Sequence, residues 1–280
     1  MIPTDCGIYY DVPFSDYVQI DAVNHSLLWE MENRSPLHAR WKQDHPQEDT
    51  PAMRIGRAAH ALILEPETFE QRWAVAPDVD RKTKAGKESY AQFVDGSGDR
   101  DVIAASEFES IQEMAKAIEG QRLHKLVRTG KAEVVLIWDD PDTGLRCKGR
   151  LDYLHQERGL FVIDFKTTEC AAEDAFAYSI QRYGYFSQAA FYCMGCEEVL
   201  GQTPGYTWLV AEKSAPYAVA AYQIQSATLN AGTEFCRRAL QRYARCAAND
   251  EWPGYPDAVT PIDMPRWRIE KEMTINQYQM

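Results

Sequence analysis

The sequence predicts a mixed α/β fold, with one central mixed β-sheet flanked by helices. Two observations carry this. Short runs of strand character at 132–138, 145–153, 160–166, 206–211 and 218–224 are interleaved with segments of helical period. Hydrophobic residues make up 45% and aromatic residues 11% of the 280, ample for a sizeable core. No internal repeat and no clear linker interrupts the chain. Residues 1–280 are therefore expected to form a single domain, its core at roughly 50–225 with elaborations at both ends.

In chain order, Gly7-Ile8-Tyr9-Tyr10 is a short extended start. Asn24 or Ser26 is the cap of a helix through Leu27, Leu28 and Met31. Ile55 to Leu64 is a helix stopped by Glu65-Pro66, because the residue before a proline is pushed out of the helical region. Residues 77–101 are polar and contain glycine; they read as a loop with a short helical piece around Glu88 to Val94. Ser106 starts a helix to Glu119, and Ala132 to Trp138 is a strand ending at the turn Asp140-Pro141-Asp142-Thr143-Gly144. Glu173 to Leu200 reads as a long helix with a break near Tyr183-Gly184. Tyr206 to Ala211 and Ala218 to Ile224 are strands, and Leu229 to Ala247 is an amphipathic helix. The tail from Trp252 is rich in proline and aromatics.

The most informative stretch is 149–168. Leu145, Cys147, Gly149, Leu151 and Tyr153 alternate with Arg146, Lys148, Arg150 and Asp152, the period of a strand with one apolar face. Leu160-Phe161-Val162-Ile163 is apolar on both faces, as a buried central strand is, and leads into Asp164-Phe165-Lys166. A three-residue loop Glu157-Arg158-Gly159, with Gly159 left-handed, pairs residue 156 with 160. That register sets Asp152 opposite Asp164, with Cβ atoms roughly 4.5–5.5 Å apart. Lys166 then shares a face with Asp164, because strand side chains alternate. Two close carboxylates repel unless a cation lies between them. Hard oxygen ligands favour Mg²⁺, with Mn²⁺ as a substitute. An Asp-x-Lys triplet alone is common; its position at the end of a buried strand is what gives it weight, since an unpartnered buried charge is expensive. Arg146, Lys148 and Arg150 form a basic row on the face of Asp152, the arrangement expected along a phosphate backbone.

The net charge of −12 argues against a protein that coats nucleic acid non-specifically, while leaving room for a local basic channel. Arg81, Lys82, Lys84 and Lys87 form the densest basic cluster, with Gly86 allowing close backbone approach. The Gly86-Lys87 pair does not open a nucleotide-binding P-loop, because residue 81 is Arg where the first glycine belongs. Seven cysteines without framework spacing fit reduced thiols. With no signal peptide in Met1-Ile2-Pro3-Thr4-Asp5 and no long apolar run, a cytoplasmic location is expected. His60 interrupts an apolar, small-residue helix, and reads either as a packing histidine or as a further metal ligand. Gln188 and Tyr192 lie four apart and share a helix face.

Together these residues carry a resemblance. Gly7-Ile8-Tyr9-Tyr10-Asp11, Gly56 with His60 and Leu64-Glu65-Pro66, and Arg81 with Thr83 and Ala85-Gly86-Lys87-Glu88 come first. Asp140-Pro141-Asp142-Thr143-Gly144, Arg150-Leu151-Asp152 and Asp164-Phe165-Lys166-Thr167-Thr168 follow. Gln188 with Phe191-Tyr192, Glu251-Trp252-Pro253 and Pro265-Arg266-Trp267 complete the order. The chain resembles the C-terminal nuclease domains of the exonuclease VIII (RecE) type, within the PD-(D/E)XK superfamily of restriction-endonuclease-like folds. The resemblance spans nearly the whole chain, without that family's long N-terminal extension.

It implies a metal-dependent, ATP-independent exodeoxyribonuclease that resects linear double-stranded DNA 5′ to 3′. The 3′ single-stranded tails would pass to a strand-annealing partner in phage-type recombination. His60, Asp152, Asp164 and the Phe165 backbone carbonyl would hold the metal. Lys166 would activate or orient the attacking water, and Gln188 and Tyr192 would support the site or the DNA backbone. Glu133 would supply a further carboxylate. The family also implies a ring-shaped homo-oligomer around DNA. Two alternatives stand beside this reading. An iron–sulfur nuclease of the helicase-associated type would use Cys193 and Cys196, and a colourless protein would dismiss it. A catalytically silent DNA-end-binding protein would show no Mg²⁺-dependent release of nucleotides.

Overall fold

The computed structural model describes residues 2–45, 50–121, 129–157 and 159–277. Its first elements are β1 (Gly7–Tyr9), α1 (Phe14–Gln19), α2 (His25–Asn33), α3 (Pro36–Asp44) and α4 (Pro51–Leu64). A single 3-10 turn, Pro66–Thr68, leads into α5 (Phe69–Arg72), β2 (Trp73–Ala76), α6 (Lys84–Gly96), β3 (Asp101–Ala104) and α7 (Ala105–Glu119). The strands β4 (Lys131–Asp139), β5 (Arg146–His155) and β6 (Phe161–Thr168) come next, then α8 (Glu173–Arg182) and α9 (Tyr185–Leu200). The chain closes with β7 (Gly205–Glu212), β8 (Val219–Gln223), α10 (Ser226–Asn249) and α11 (Arg266–Gln277).

Six strands form one sheet in the order β1-β4-β5-β6-β7-β8. Every neighbouring pair is antiparallel except β6 and β7, which are parallel. A parallel pair needs a crossover, and α8 and α9 supply it. The mixed sheet flanked by helices is the fold class expected from the strand and helix periods. One core cluster packs α2, α9 and α10 on the sheet through Leu28, Met31, Phe191, Cys196, Leu240, Trp138 and Trp208. A second joins α4 and α7 to it through Ala58, Ala59, Ile111, Met114, Phe165 and Leu209.

The hairpin has the expected register: Tyr153 pairs with Ile163, Leu154 with Val162 and His155 with Phe161. Gly159 takes φ +123, and Arg158 of its loop lies outside the described residues. The paired ladder stops before Asp152 and Asp164, so these two are not a directly opposed pair. The Tyr183-Gly184 break is present, with Gly184 at φ +72. Asn24 is the cap of α2, accepting from Leu27 N.

The stretch 77–101, expected to be mostly loop, holds the thirteen-residue α6. Thr83 caps it by accepting from Gly86 N at 3.0 Å, a local hydrogen bond that polar composition hides. The short strands β2 and β3 form a separate parallel pair that the sequence reading did not anticipate. Among the described residues no helix is long and apolar enough to cross a membrane.

Candidate active site

The site lies beside β6, where β4 and β5 stop alternating regularly. Leu151 belongs to one core cluster, but Tyr153, two residues on, belongs to the other. On β4, Val134 and Ala132 divide between the clusters in the same way. Each strand therefore turns over at the residue between, Asp152 on β5 and Glu133 on β4. Glu133 takes φ +53, a left-handed conformation that is uncommon outside glycine and collects at functional sites. The turn-over lets the Asp152 carboxylate reach across to β6, where Oδ2 accepts the Phe165 N–H at 2.8 Å.

Asp164 is 1% exposed in its side chain. Lys166 Nζ stands 2.6 Å from its Oδ2, an ion pair whose angle leaves both Asp164 oxygens without an aligned donor among the described residues. Burial raises both carboxyls, each to about 6; Lys166 opposes the shift at each, Asp152 reinforces it at Asp164, and Glu133 reinforces it at Asp152. Burial pulls the Lys166 ammonium down, but Asp164 and Asp152 more than offset this and leave it raised and charged. At neutral pH the pair of acids is therefore ionised beside one ammonium.

His60 reaches the same place from α4. Its Nδ1 is 3.5 Å from Asp152 Oδ2, and its ring meets the Phe165 ring edge-on at 5.2 Å. Burial lowers its pKa, against the pull of Glu133, so the imidazole is neutral and keeps a lone pair for coordination. The Phe165 backbone lies close enough to the His60 ring to oppose that shift. Glu133 is tied to Arg150 by a short ion pair, so part of its charge beside the acids is offset.

Among the described residues, no three His, Cys, Asp or Glu side chains converge as a ready-made ligand cage. The donor chemistry nevertheless fits a hard divalent cation. Two carboxylates, a neutral imidazole and a backbone carbonyl lie in one neighbourhood without closing into a cage, and Asp164 buries two oxygens that no aligned donor satisfies. His60, Asp152, Asp164 and the Phe165 carbonyl would hold such an ion.

Residues 15–263 match the family described as a PDDEXK-like domain of unknown function (DUF3799). The chain belongs to this PDDEXK-like family. A crystal structure titled "Putative exonuclease" from Eubacterium rectale shares its fold: TM-score 0.59, 12% identity, covering 93% of this chain and 98% of that one. A second crystal structure, of SSO0001, overlaps 66% of this chain and 85% of its own at 13% identity; its TM-score of 0.27 carries no argument. No curated protein matches the chain.

In this PDDEXK-like chain Gln188 and Tyr192 do share a face of α9. Gln188 Nε2 donates to the Tyr192 hydroxyl at 3.3 Å, and Tyr192 lies close enough to both aspartates to feel their charge. Gly149 makes room for it: a Cβ there would stand 3.0 Å from the Tyr192 ring. Tyr185, on the same face three residues before Gln188, was missed from sequence. Its ring centre lies 4.9 Å from Lys166 Nζ. The i, i+3, i+7 spacing of Tyr185, Gln188 and Tyr192 was the available signal.

The basic row of β5 is not an open phosphate track. Lys148 is 4% exposed and donates to the Tyr17, Val18 and Ile20 carbonyls at 2.9, 3.3 and 2.6 Å. Arg150 donates to the Val12 carbonyl at 3.1 Å besides pairing with Glu133. Arg146 pairs with Asp139 at 2.5 Å and donates to the Thr4 carbonyl. All three dock the N-terminal segment on the sheet. The physical reason is that the segment turns several backbone carbonyls toward the strand, and one long cation reaches more than one of them.

The second basic cluster stays exposed. Arg81 stacks on Tyr90 at 4.7 Å, Lys84 lies 3.9 Å from Glu88, and Lys82 and Lys87 face solvent around the start of α6. Cys193 and Cys196 are buried in the core, where burial raises each thiol to about 12.

Proposed function

We propose that this protein is a metal-dependent, ATP-independent exodeoxyribonuclease of the exonuclease VIII type. Membership of a PDDEXK-like family supports a nuclease, and the observation that carries the reading is local. A charged Lys166 stands 2.6 Å from buried Asp164, in a wall shared with Asp152 and His60. A structural ion pair needs one acid; a second ionised carboxylate beside it, with a neutral imidazole, is arranged to receive a cation and a phosphodiester.

Asp152, Asp164, His60 and the Phe165 carbonyl hold a divalent cation, Mg²⁺ or Mn²⁺. When bound, it supplies Lewis-acid activation of the phosphodiester and a more acidic water. Lys166 sits at the edge of this set, orients the attacking water and stabilises negative charge developing on the phosphoryl oxygens. The hydrogen bond from Phe165 N–H holds Asp152 in place, so it need not reorganise during the reaction. Tyr192 and Gln188 wall off the carboxylates from the α9 side. Arg81, Lys82, Lys84 and Lys87 supply phosphate contacts beyond the site.

The sequence resemblance supports resection of linear double-stranded DNA from 5′ to 3′, leaving 3′ tails for a single-strand annealing partner, by a ring-shaped homo-oligomer. The test is digestion of end-labelled linear duplex beside a covalently closed circle, with Mg²⁺ or with EDTA. Release of nucleotides from the linear DNA alone, only with Mg²⁺, is expected. Cleavage of the circle would make the protein an endonuclease, and no cleavage of either would refute the nuclease reading.

A further inference from the structure

A line of two rings between two cations runs from solvent into the site. Arg182, the last residue of α8, places its guanidinium carbon 5.5 Å from the Tyr183 ring centre. Tyr183 meets Tyr185 at 5.7 Å, and Tyr185 meets Lys166 Nζ at 4.9 Å. Lys166 in turn contacts Asp164. The inner end is covered, but Tyr183 is 54% exposed.

The turn that carries the two tyrosines is locked. Gly184 lies between them at φ +72, and a Cβ on it would stand 2.3 Å from the Trp29 ring. Trp29 itself packs on Phe186 and Phe235. The backbone that carries Tyr183 and Tyr185 is therefore set by core packing, which leaves the Tyr183 ring exposed beside Tyr185.

An exposed aromatic ring with a guanidinium against it, linked through Tyr185 to the Lys166 ammonium, suits a ligand that joins a flat ring to a phosphate. A nucleotide is such a ligand, and bases stack on aromatic side chains whatever their identity. An apolar protein partner fits poorly, because the Arg182 guanidinium lies against the ring. Inside a duplex both faces of a base are already stacked, so the platform can engage only a base freed from its pair.

Resting on the nuclease reading, we propose that Tyr183 is a stacking platform for the unpaired base of a DNA end, held as the adjoining phosphate reaches Lys166. The enzyme would thereby favour frayed or single-stranded termini, without preference for base identity.

The test compares linear DNAs that differ in one terminal nucleotide, a normal base or an abasic sugar, with each end modified in turn. For the wild type, the abasic terminus is expected to raise KM about tenfold at one end, with kcat altered less than about twofold. Tyr183→Ala should raise KM on the normal end by a similar factor and abolish the discrimination. Tyr183→Trp should restore it. Tyr178→Ala, at another exposed tyrosine of α8, should leave the discrimination intact; an equal loss there would refute the assignment.

Binding of a strand with terminal 2-aminopurine to Asp164→Asn protein gives a readout independent of cleavage. Quenching of the fluorophore should vanish in the Tyr183→Ala, Asp164→Asn double variant. If DNA is cut but both termini behave alike, the platform falls while the nuclease stands. If nothing is cut but quenching depends on Tyr183, the platform stands and the nuclease reading falls.

Discussion

Phe165 gives its backbone N–H to the Asp152 carboxylate at 2.8 Å, although the two residues lie on strands whose paired ladder ends one position earlier. The bond replaces a missing rung with a side chain, and so couples the first acid of the site to the backbone next to the second. Asp152→Asn keeps an acceptor for this N–H, whereas Asp152→Ala leaves it buried and unpaired. Both variants should lose nuclease activity by about 10³-fold, as expected when charge stabilisation is removed. Only Asp152→Ala should also lower thermal stability, by about 1–3 kcal/mol. Equal melting temperatures for the two variants would show that the hydrogen bond does not hold the strand.

Lys166→Ala removes the ammonium beside Asp164 and should cost about 10²–10³ in kcat. Lys166→Arg keeps the charge but spreads it over a larger planar group and should restore little. Single-turnover rates on end-labelled duplex read this directly, and a variant of wild-type speed would remove Lys166 from the mechanism.

The two aspartates, raised to about 6 mainly by burial, make metal-free stability depend on pH. A carboxyl whose folded pKa exceeds its unfolded value binds its proton more tightly in the folded chain. Its contribution is present at low pH and is lost as pH rises from the ordinary aspartate range, near about 3.9, through about 6. In EDTA, the melting-temperature difference between wild type and Asp164→Asn should therefore widen from pH 5 to pH 7.5, with the variant the more stable at the higher pH. Added Mn²⁺ should stabilise the wild type more at pH 7.5 than at pH 5. A difference independent of pH would mean that Asp164 is not the strained group.

Lys148 and the α6 lysines should behave oppositely. Lys148→Met takes the ammonium from three carbonyls of the N-terminal segment, of which Tyr17 O keeps the Ile20 N–H, and should cost about 1–3 kcal/mol of stability. It should leave the salt dependence of DNA binding unchanged. Lys84→Ala and Lys87→Ala should leave stability within about 0.5 kcal/mol, and each should reduce the slope of log affinity against log salt by about 1. Fluorescence anisotropy over a salt series, paired with thermal melts, checks both halves.

Gly86 is expected to be irreplaceable at the start of α6. A Cβ on it would stand 2.0 Å from the Asp80 carbonyl oxygen, so Gly86→Ala must open the turn that carries Arg81, Lys82 and Lys84. Weaker DNA binding together with a lower melting temperature is the expected outcome, and an unchanged protein would show that this turn adapts.

The sequence alone determined the sheet strands β4 to β8, the hairpin register and the Tyr183-Gly184 break. Strand alternation and glycine chemistry are local signals, and the short loop leaves one register that buries Leu154 and Val162 together. It also singled out Asp152, Asp164, Lys166 and His60, because charges at the end of a buried strand, or within a small-residue helix, demand a partner. Tertiary structure decided the rest. Lys148 and Arg150 share their strand's period with Asp152, yet the N-terminal segment claims them through backbone carbonyls that no side-chain pattern records. Glu133 and Asp152 break the alternation because the strands turn over between two cores, which periodicity along a single strand does not express. Tyr185 came to Lys166 only when the crossover helices folded back over β6, a contact between residues distant in space until the sheet was built.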